Sequence, residues 1–286
     1  MARSPRFLVI DGYPKDSRDE LAAGGASIAG ELYARLVRRH AANAAVDILF
    51  PSDPDAALPK GVGLDQYDGV CWTGCNLTAY DDKDARVGRQ IELVREIFRV
   101  GTPSFGSCWA AQIAVAAAGG IVRANPRGRE MGIARKIALT PEGRGHPLYA
   151  GKPSVFDAFI SHVDEVTHLP PGAVLLASNA FTHVQAVAIT HKGGVFWGVQ
   201  YHPEYDLHEM ARLIFCRLER LTKQGFFRDR AAGEDFVNLL ESLHQDPARK
   251  DLAWLLGVDE DVMNEDIRLA EVRNWIDRLV IPAMRS

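Results

Sequence analysis

The 286-residue chain has little cysteine, no long apolar run and no surplus of charge of one sign. Four cysteines, Cys71, Cys75, Cys108 and Cys216, are too sparse to staple a chain of this length; they read as free thiols of a reducing compartment, the cytoplasm. They form no CxxC pair, Cys71 and Cys75 being four apart, so no metal site is expected. The longest nearly uninterrupted apolar stretch, residues 113–122, is far short of the ~18 residues needed to span a bilayer. Behind the basic start Met1-Ala-Arg-Ser-Pro-Arg, the apolar run 7–10 stops at Asp11, too short for a secretory signal. Lys and Arg total 33 against 37 Asp and Glu, a net charge of −4 with the signs interspersed, which argues against nucleic acid or an anionic membrane as partner. The densest basic patch, Arg127, Arg129, Arg135 and Lys136, reads as a solvated loop. Internal repeats and low-complexity tracts are also missing.

What is present is the composition of an ordinary globular chain, with 47% hydrophobic and 24% charged residues. Short apolar runs at 7–10, 46–50, 69–72 and 103–105 read as strands. Helical spacing at 28–39 and 87–98 separates them, with Val87, Ile91, Val94 and Phe98 on one face. That alternation predicts an α/β fold with a doubly wound, mostly parallel sheet, whose ligands bind beyond the carboxyl ends of the strands. Closely spaced strands at 134–139, 155–160, 174–177, 186–189 and 195–200, punctuated by turn signals, predict an antiparallel addition. After Tyr205 the pattern is helical, with stripes at Leu207, Met210 and Ile214, at Phe236, Leu239, Leu240 and Leu243, and at Val272, Trp275, Ile276 and Leu279. The expected division is a domain over 1–222 and a helical C-terminal extension over 223–286. The apolar residues of the extension, Trp254, Leu255 and Leu256 included, are expected to pack on the same chain, although a homo-oligomer face is also open.

The sharpest local feature is Thr102-Pro-Ser-Phe-Gly-Ser-Cys108-Trp-Ala-Ala-Gln112, a strand running through small residues into one nucleophile and an Ala-rich helix. This is the layout of a nucleophile elbow with Cys in place of Ser. Gly106 and Ala110 leave room for the tight turn, and the helix N-terminus favours a thiolate at Cys108. The backbone N–H of Trp109 faces a developing oxyanion. Ninety-four positions on, Gly198-Val-Gln-Tyr-His202-Pro-Glu204 offers a base and the carboxylate that orients it. Taken singly, a buried cysteine and a loop histidine are unremarkable; the pairing points to a catalytic triad of Cys108, His202 and Glu204.

With these motifs the chain resembles the class I (triad) glutamine amidotransferase domain over about residues 5–220, and most of all the stand-alone, GMP synthase-like group. Asn125-Pro-Arg-Gly-Arg-Glu-Met-Gly132, His146-Pro-Leu-Tyr-Ala-Gly151 and Ser161-His-Val-Asp-Glu-Val166 fit that group in order and spacing. The resemblance implies that Thr73-Gly74-Cys75-Asn76 is the oxyanion loop, with Gly74 and the backbone N–H of Cys75 joining Trp109. It also implies that Gln112, Ser161 and His162 line the substrate pocket. Two residues depart from the family pattern: Ala110 replaces the second elbow glycine, and Cys75 replaces a small oxyanion-loop residue.

The implied reaction is attack of Cys108 on a γ-glutamyl amide, with release of ammonia and no cofactor or metal. The substrate is then a small molecule, glutamine or another γ-glutamyl compound. Three readings remain open: a glutaminase serving a separate synthetase partner, a γ-glutamyl peptidase acting on peptides or conjugates, and a catalytically silent binding protein.

Overall fold

The computed structural model describes residues 3–284; Met1 and Ala2 of the basic start and the last two residues of the helical extension lie outside the described residues. Strands β1 (Arg6–Ile10), β2 (Ala45–Leu49), β3 (Gly69–Trp72) and β4 (Ser104–Ser107) alternate with helices α1 (Lys15–Ala23), α2 (Ala29–His40) and α3 (Ala85–Val100). Helix α2 forms because Leu32, Tyr33, Leu36 and Val37 give it one apolar face, which it buries on the sheet. Helix α3 starts where the Asp84 side chain accepts from the Arg86 N–H, and stops at Gly101 in the left-handed region.

Helix α4 (Trp109–Ala117) follows β4, and then come β5 (Ile121–Ala124), β6 (Glu130–Leu139), β7 (Val155–His162), β8 (Asp164–His168), β9 (Ala173–Ser178), β10 (Ala186–His191) and β11 (Gly194–Val199). The main sheet has the order β2-β1-β3-β4-β11-β10-β9-β6-β7, and β5 pairs with β8 separately. Neighbours from β2 to β11 are parallel, whereas β10, β9, β6 and β7 join antiparallel. The α/β fold with a mostly parallel sheet and an antiparallel addition is therefore present. Its topology sets the carboxyl ends of β1, β3, β4 and β11 side by side, and each opens into a loop that carries polar residues.

Some elements differ from the sequence expectation. Strand β6 begins four residues early, at Glu130; Gly132 at φ 90° and a register shift between Ala134 and Ile137 leave it without a regular pattern along its length. Strands β5 and β8 and helix α1 carried no readable pattern: each strand buries a single residue, and α1 buries only Arg18 and Leu21.

The C-terminal stripes pack on the chain. Leu207, Met210 and Ile214 meet Leu240 and Leu243 in one apolar cluster that includes Phe159 of β7. The helix Ala270–Trp275 drives Trp275 under the sheet, where its ring lies 5.5 Å from Phe7 and 5.9 Å from Phe105, centroid to centroid. The expectation that all of these apolar residues turn inward needs correction at two places: Trp254 is 83% and Leu255 59% exposed, while Leu256 is buried. The helix Lys250–Leu256 is only seven residues long, so the face holding Leu252 and Leu256 is the one it buries.

Candidate active site

The elbow is built from steric limits. Cys108 sits at φ 52°, ψ −104°, a conformation non-glycine residues rarely adopt. It is held by its own N–H, which donates to the Val199 carbonyl at the end of β11 (2.7 Å). A Cβ at Gly106 would collide with Ala110 Cβ and the Trp72 carbonyl oxygen, so both small residues are required by the turn. The Trp109 indole is buried and donates to Gln90 Oε1 (2.8 Å), which fixes the first turn of α4. The Cys108 thiol lies 3.7 Å from the Ser161 carbonyl oxygen.

Beyond β11 the His202 N–H donates to the Phe159 carbonyl (2.8 Å), and the imidazole stacks on Tyr205 with centroids 4.2 Å apart. His202 Nδ1 is 2.6 Å from Glu204 Oε1, and both side chains are buried. Burial by itself would depress the imidazole pKa; the charge of Glu204 and hydrogen bonds to Cys108 and Glu204 outweigh it and lift His202 to about 9. The Glu204 carboxylate also accepts from Ser107 (2.9 Å) and Tyr33 (3.3 Å), and Tyr33 donates to Ser107 (2.8 Å). Three residues that lie far apart in sequence therefore fix one carboxylate. With Nδ1 committed to Glu204, Nε2 is the nitrogen left for the thiol.

A cavity of about 290 Å³ opens over Cys108. Cys75, Gln112, Ser161 and His162 all line it, so the structure brings the expected pocket residues together. Gly74 lies against the pair itself, since a Cβ there would come 2.7 Å from His202 Cε1. The Cys75 thiol donates to the Gly12 carbonyl (3.2 Å) and accepts from the Leu77 N–H (3.4 Å), and burial pushes its pKa far up, so it is a neutral, engaged thiol.

Gln112 Nε2 is bonded to the Asp164 carbonyl (2.8 Å) and Gln200 Oε1 (3.1 Å). Both ring nitrogens of His162 are taken, by the Asp164 carbonyl (2.8 Å) and Glu130 (3.0 Å). Burial opposes a charged Glu130, but hydrogen bonds from His162, Asn179 and Thr182 hold its carboxyl below the usual range. His162 and Gln112 therefore stiffen the wall, while Ser161 presents its carbonyl to the Cys108 thiol.

The basic patch divides. Arg127, Arg135 and Lys136 reach Ala180 and Asp157 away from the cavity, whereas Arg129 lines it and donates to Gln224 (2.9 Å). Reading Arg129 as part of a solvated loop is thus corrected: the turn at Gly128, φ 83°, swings it over Cys108. Arg217 also lines the cavity; it was not legible in the sequence because it sits between two helices whose apolar stripes dominate the pattern. All four cysteines are free, and among the described residues no cluster of three His, Cys, Asp or Glu side chains could hold a metal.

The model of the family "Glutamine amidotransferase class-I" matches residues 29–220, two thirds of the chain. The chain belongs to that family. It is 33% identical to a γ-glutamyl-L-1-hydroxyisopropylamide hydrolase from Pseudomonas over 285 residues, 98% of this chain and 95% of the relative. It is 28% identical to γ-glutamyl peptidase 3 of Arabidopsis thaliana over 62% of this chain and 70% of that one. A GMP synthase from Bordetella avium is 29% identical over 67% of this chain, which spans only 35% of that longer protein. In fold it is similar to a glutamine amidotransferase from Thermotoga maritima, with a TM-score of 0.67 and 19% identity over 97% of this chain and 99% of that one. No helix among the described residues is long and apolar enough to cross a membrane.

Proposed function

We propose that the protein hydrolyses γ-glutamyl amides through a Cys108 thioester, with His202 and Glu204 completing the triad. The observation that carries this reading is the strained Cys108 beside an imidazole whose other nitrogen lies 2.6 Å from a buried carboxylate. Cys108 Sγ attacks the amide carbonyl, and the backbone N–H groups of Trp109 and Cys75 receive the oxyanion. The C–N bond breaks as the His202 imidazolium gives its proton to the departing amine or ammonia. The neutral imidazole then takes a proton from water, hydroxide attacks the thioester, and glutamate leaves with Cys108 regenerated as thiolate. Glu204 holds the ring throughout. Gln112, Ser161 and His162 shape the γ-glutamyl side of the cavity, and none of these steps needs a cofactor.

The near full-length likeness to an amide hydrolase favours a γ-glutamyl amide bearing a substituent on nitrogen. A second reading, a glutaminase that hands ammonia to a separate synthetase, draws support from the GMP synthase likeness. In both, the reaction takes place in a reducing compartment that keeps Cys108 a thiol. The test is amine and ammonia release from γ-glutamyl ethylamide, γ-glutamylglycine and glutamine. Turnover that disappears in Cys108→Ala is the expected result; turnover that survives in that variant, or no turnover of any of the three, would refute the proposal.

A further inference from the structure

A second cavity, of about 350 Å³, lies beside the first, between α1 and the helices Leu207–Cys216 and Leu218–Lys223. The two cavities share Asn76, Arg217 and Arg220. Their common wall is held by named contacts. Asn76 Nδ2 donates to Ser17 Oγ (2.9 Å), and Arg217 donates to Ser161 Oγ (2.8 Å) and Tyr13 Oη (3.4 Å). The wall therefore runs from Ser161, whose carbonyl touches the nucleophile, out to the second space.

Its two arginines make no ion pair. Among the described residues neither Arg217 nor Arg220 has a carboxylate partner, while Glu219 is already paired with Lys223 (2.6 Å). Arg129 stands close by, and burial together with the two neighbouring arginines pulls its guanidinium down to about 10. Arg217 and Arg220 thus face both cavities, and although Asp164 lines the first and Glu20 and Glu219 the second, neither guanidinium is tied up in an ion pair, so each can donate to an incoming oxygen acceptor. Ammonia needs no such room, since a water-sized molecule occupies about 30 Å³ of liquid. With the γ-glutamyl half lying against Gln112 and Ser161, a substituent on the amide nitrogen meets Asn76 and Arg217 next.

We infer that the second cavity is the subsite for the amine half of an N-substituted γ-glutamyl amide, and that Arg217 and Arg220 receive a hydroxyl or carboxylate oxygen on that substituent. This rests on the γ-glutamyl chemistry proposed above and assigns it a substrate class. Glu20 lines the second cavity only and is exposed on α1, so Glu20→Trp fills that space without touching the first. Its kcat/KM is expected to fall about tenfold or more for γ-glutamylglycine and γ-glutamyl 2-hydroxyethylamide, and less than about twofold for glutamine. Equal losses on all three substrates, or no loss on any, overturn the inference. Lys223→Trp, a plug from the opposite wall, repeats the test should the first variant not fold.

Arg220→Met separates the two oxygen sources: a loss confined to γ-glutamylglycine assigns a carboxylate, and a loss extending to the hydroxyethylamide assigns a hydroxyl. An equal loss on γ-glutamyl ethylamide, which has neither, removes the role given to the arginines. Binding of γ-glutamylglycine to Cys108→Ser, measured by calorimetry with and without Glu20→Trp, reads the subsite without turnover. Weakening by the plug supports the subsite even if hydrolysis itself fails, and unchanged affinity overturns it.

Discussion

Glu204→Gln isolates the part of the mechanism that the geometry specifies most tightly. The substitution keeps size and removes charge. In the native site the carboxylate accepts from His202 Nδ1, Ser107 and Tyr33, three donors that need an acceptor-only partner. A glutamine amide presents one acceptor oxygen and one NH₂ group, so at least one donor faces another and the imidazole loses its fixed tautomer. Loss of the corresponding carboxylate charge in the serine-protease triad costs about 10⁴ in kcat. With Ser107 and Tyr33 still holding the side chain, we expect a fall of about 10²- to 10⁴-fold here.

The pH profile gives a second reading of the same change. In the native enzyme the His202 imidazolium persists up to about pH 9, so the proton donor for the departing amine is present below that pH and is lost above it. Without the Glu204 charge, burial, which lowers the pKa, is opposed chiefly by the hydrogen bond to Cys108 and its charge, and the basic limb of kcat/KM moves to lower pH. Amine release from γ-glutamyl ethylamide between pH 5 and 10 measures both effects. A basic limb still near pH 9 with kcat/KM within about threefold of native would refute the role given to Glu204.

Two further perturbations test the framework around the triad. Gly106→Ala puts a methyl group into Ala110 and the Trp72 carbonyl, so it should cost about 1–3 kcal/mol in urea denaturation and lower kcat by displacing Cys108; native stability together with native kcat would contradict the elbow geometry. Glu271→Gln strips the counter-charge from Lys152, a buried ammonium 2.6 Å from Glu271, and should cost about 3–5 kcal/mol, much of it recovered in Lys152→Met/Glu271→Gln. A double variant no more stable than the single one would show that the loss arises elsewhere.

The chemistry was more legible than its support. Cys108 and the His202–Glu204 pair lie in short segments at the ends of β4 and β11, where their residue types were readable locally and where the structure brings them together. Ser107 and Tyr33 were not legible as parts of the site. Ser107 reads as a small residue tolerated by the elbow, and Tyr33 falls on the apolar stripe of α2, where its ring does pack in the core while its hydroxyl reaches the carboxylate of a residue 171 positions away. Arg129 and Arg217 escaped for the same reason: a single arginine has no periodicity, and its meaning comes from which cavity the fold turns it into. Residues 73–76 follow β3 as expected, yet the ties from Cys75 to Gly12 and from Asn76 to Ser17 depend on the approach of β1 and α1 across the sheet, which spacing along the chain does not encode.

The sequence expectation also drew a line at residue 222, and the contacts across it bear on the chemistry. Trp275 lies against Phe105, three residues before Cys108, and Glu271 accepts from Tyr201 (2.5 Å), the residue before His202. Tyr149 joins that hydroxyl (2.9 Å), and Lys152 closes the network at Glu271. Helices of the extension thus brace both β4 and the turn after β11, the two elements whose separation sets the distance between thiol and imidazole. Triad catalysis is intolerant of displacements of about 1 Å, so a brace on each strand end is worth more than its contact area suggests. We propose on this ground that residues beyond 222 form one cooperative unit with the amidotransferase fold and help fix the geometry of Cys108 and His202.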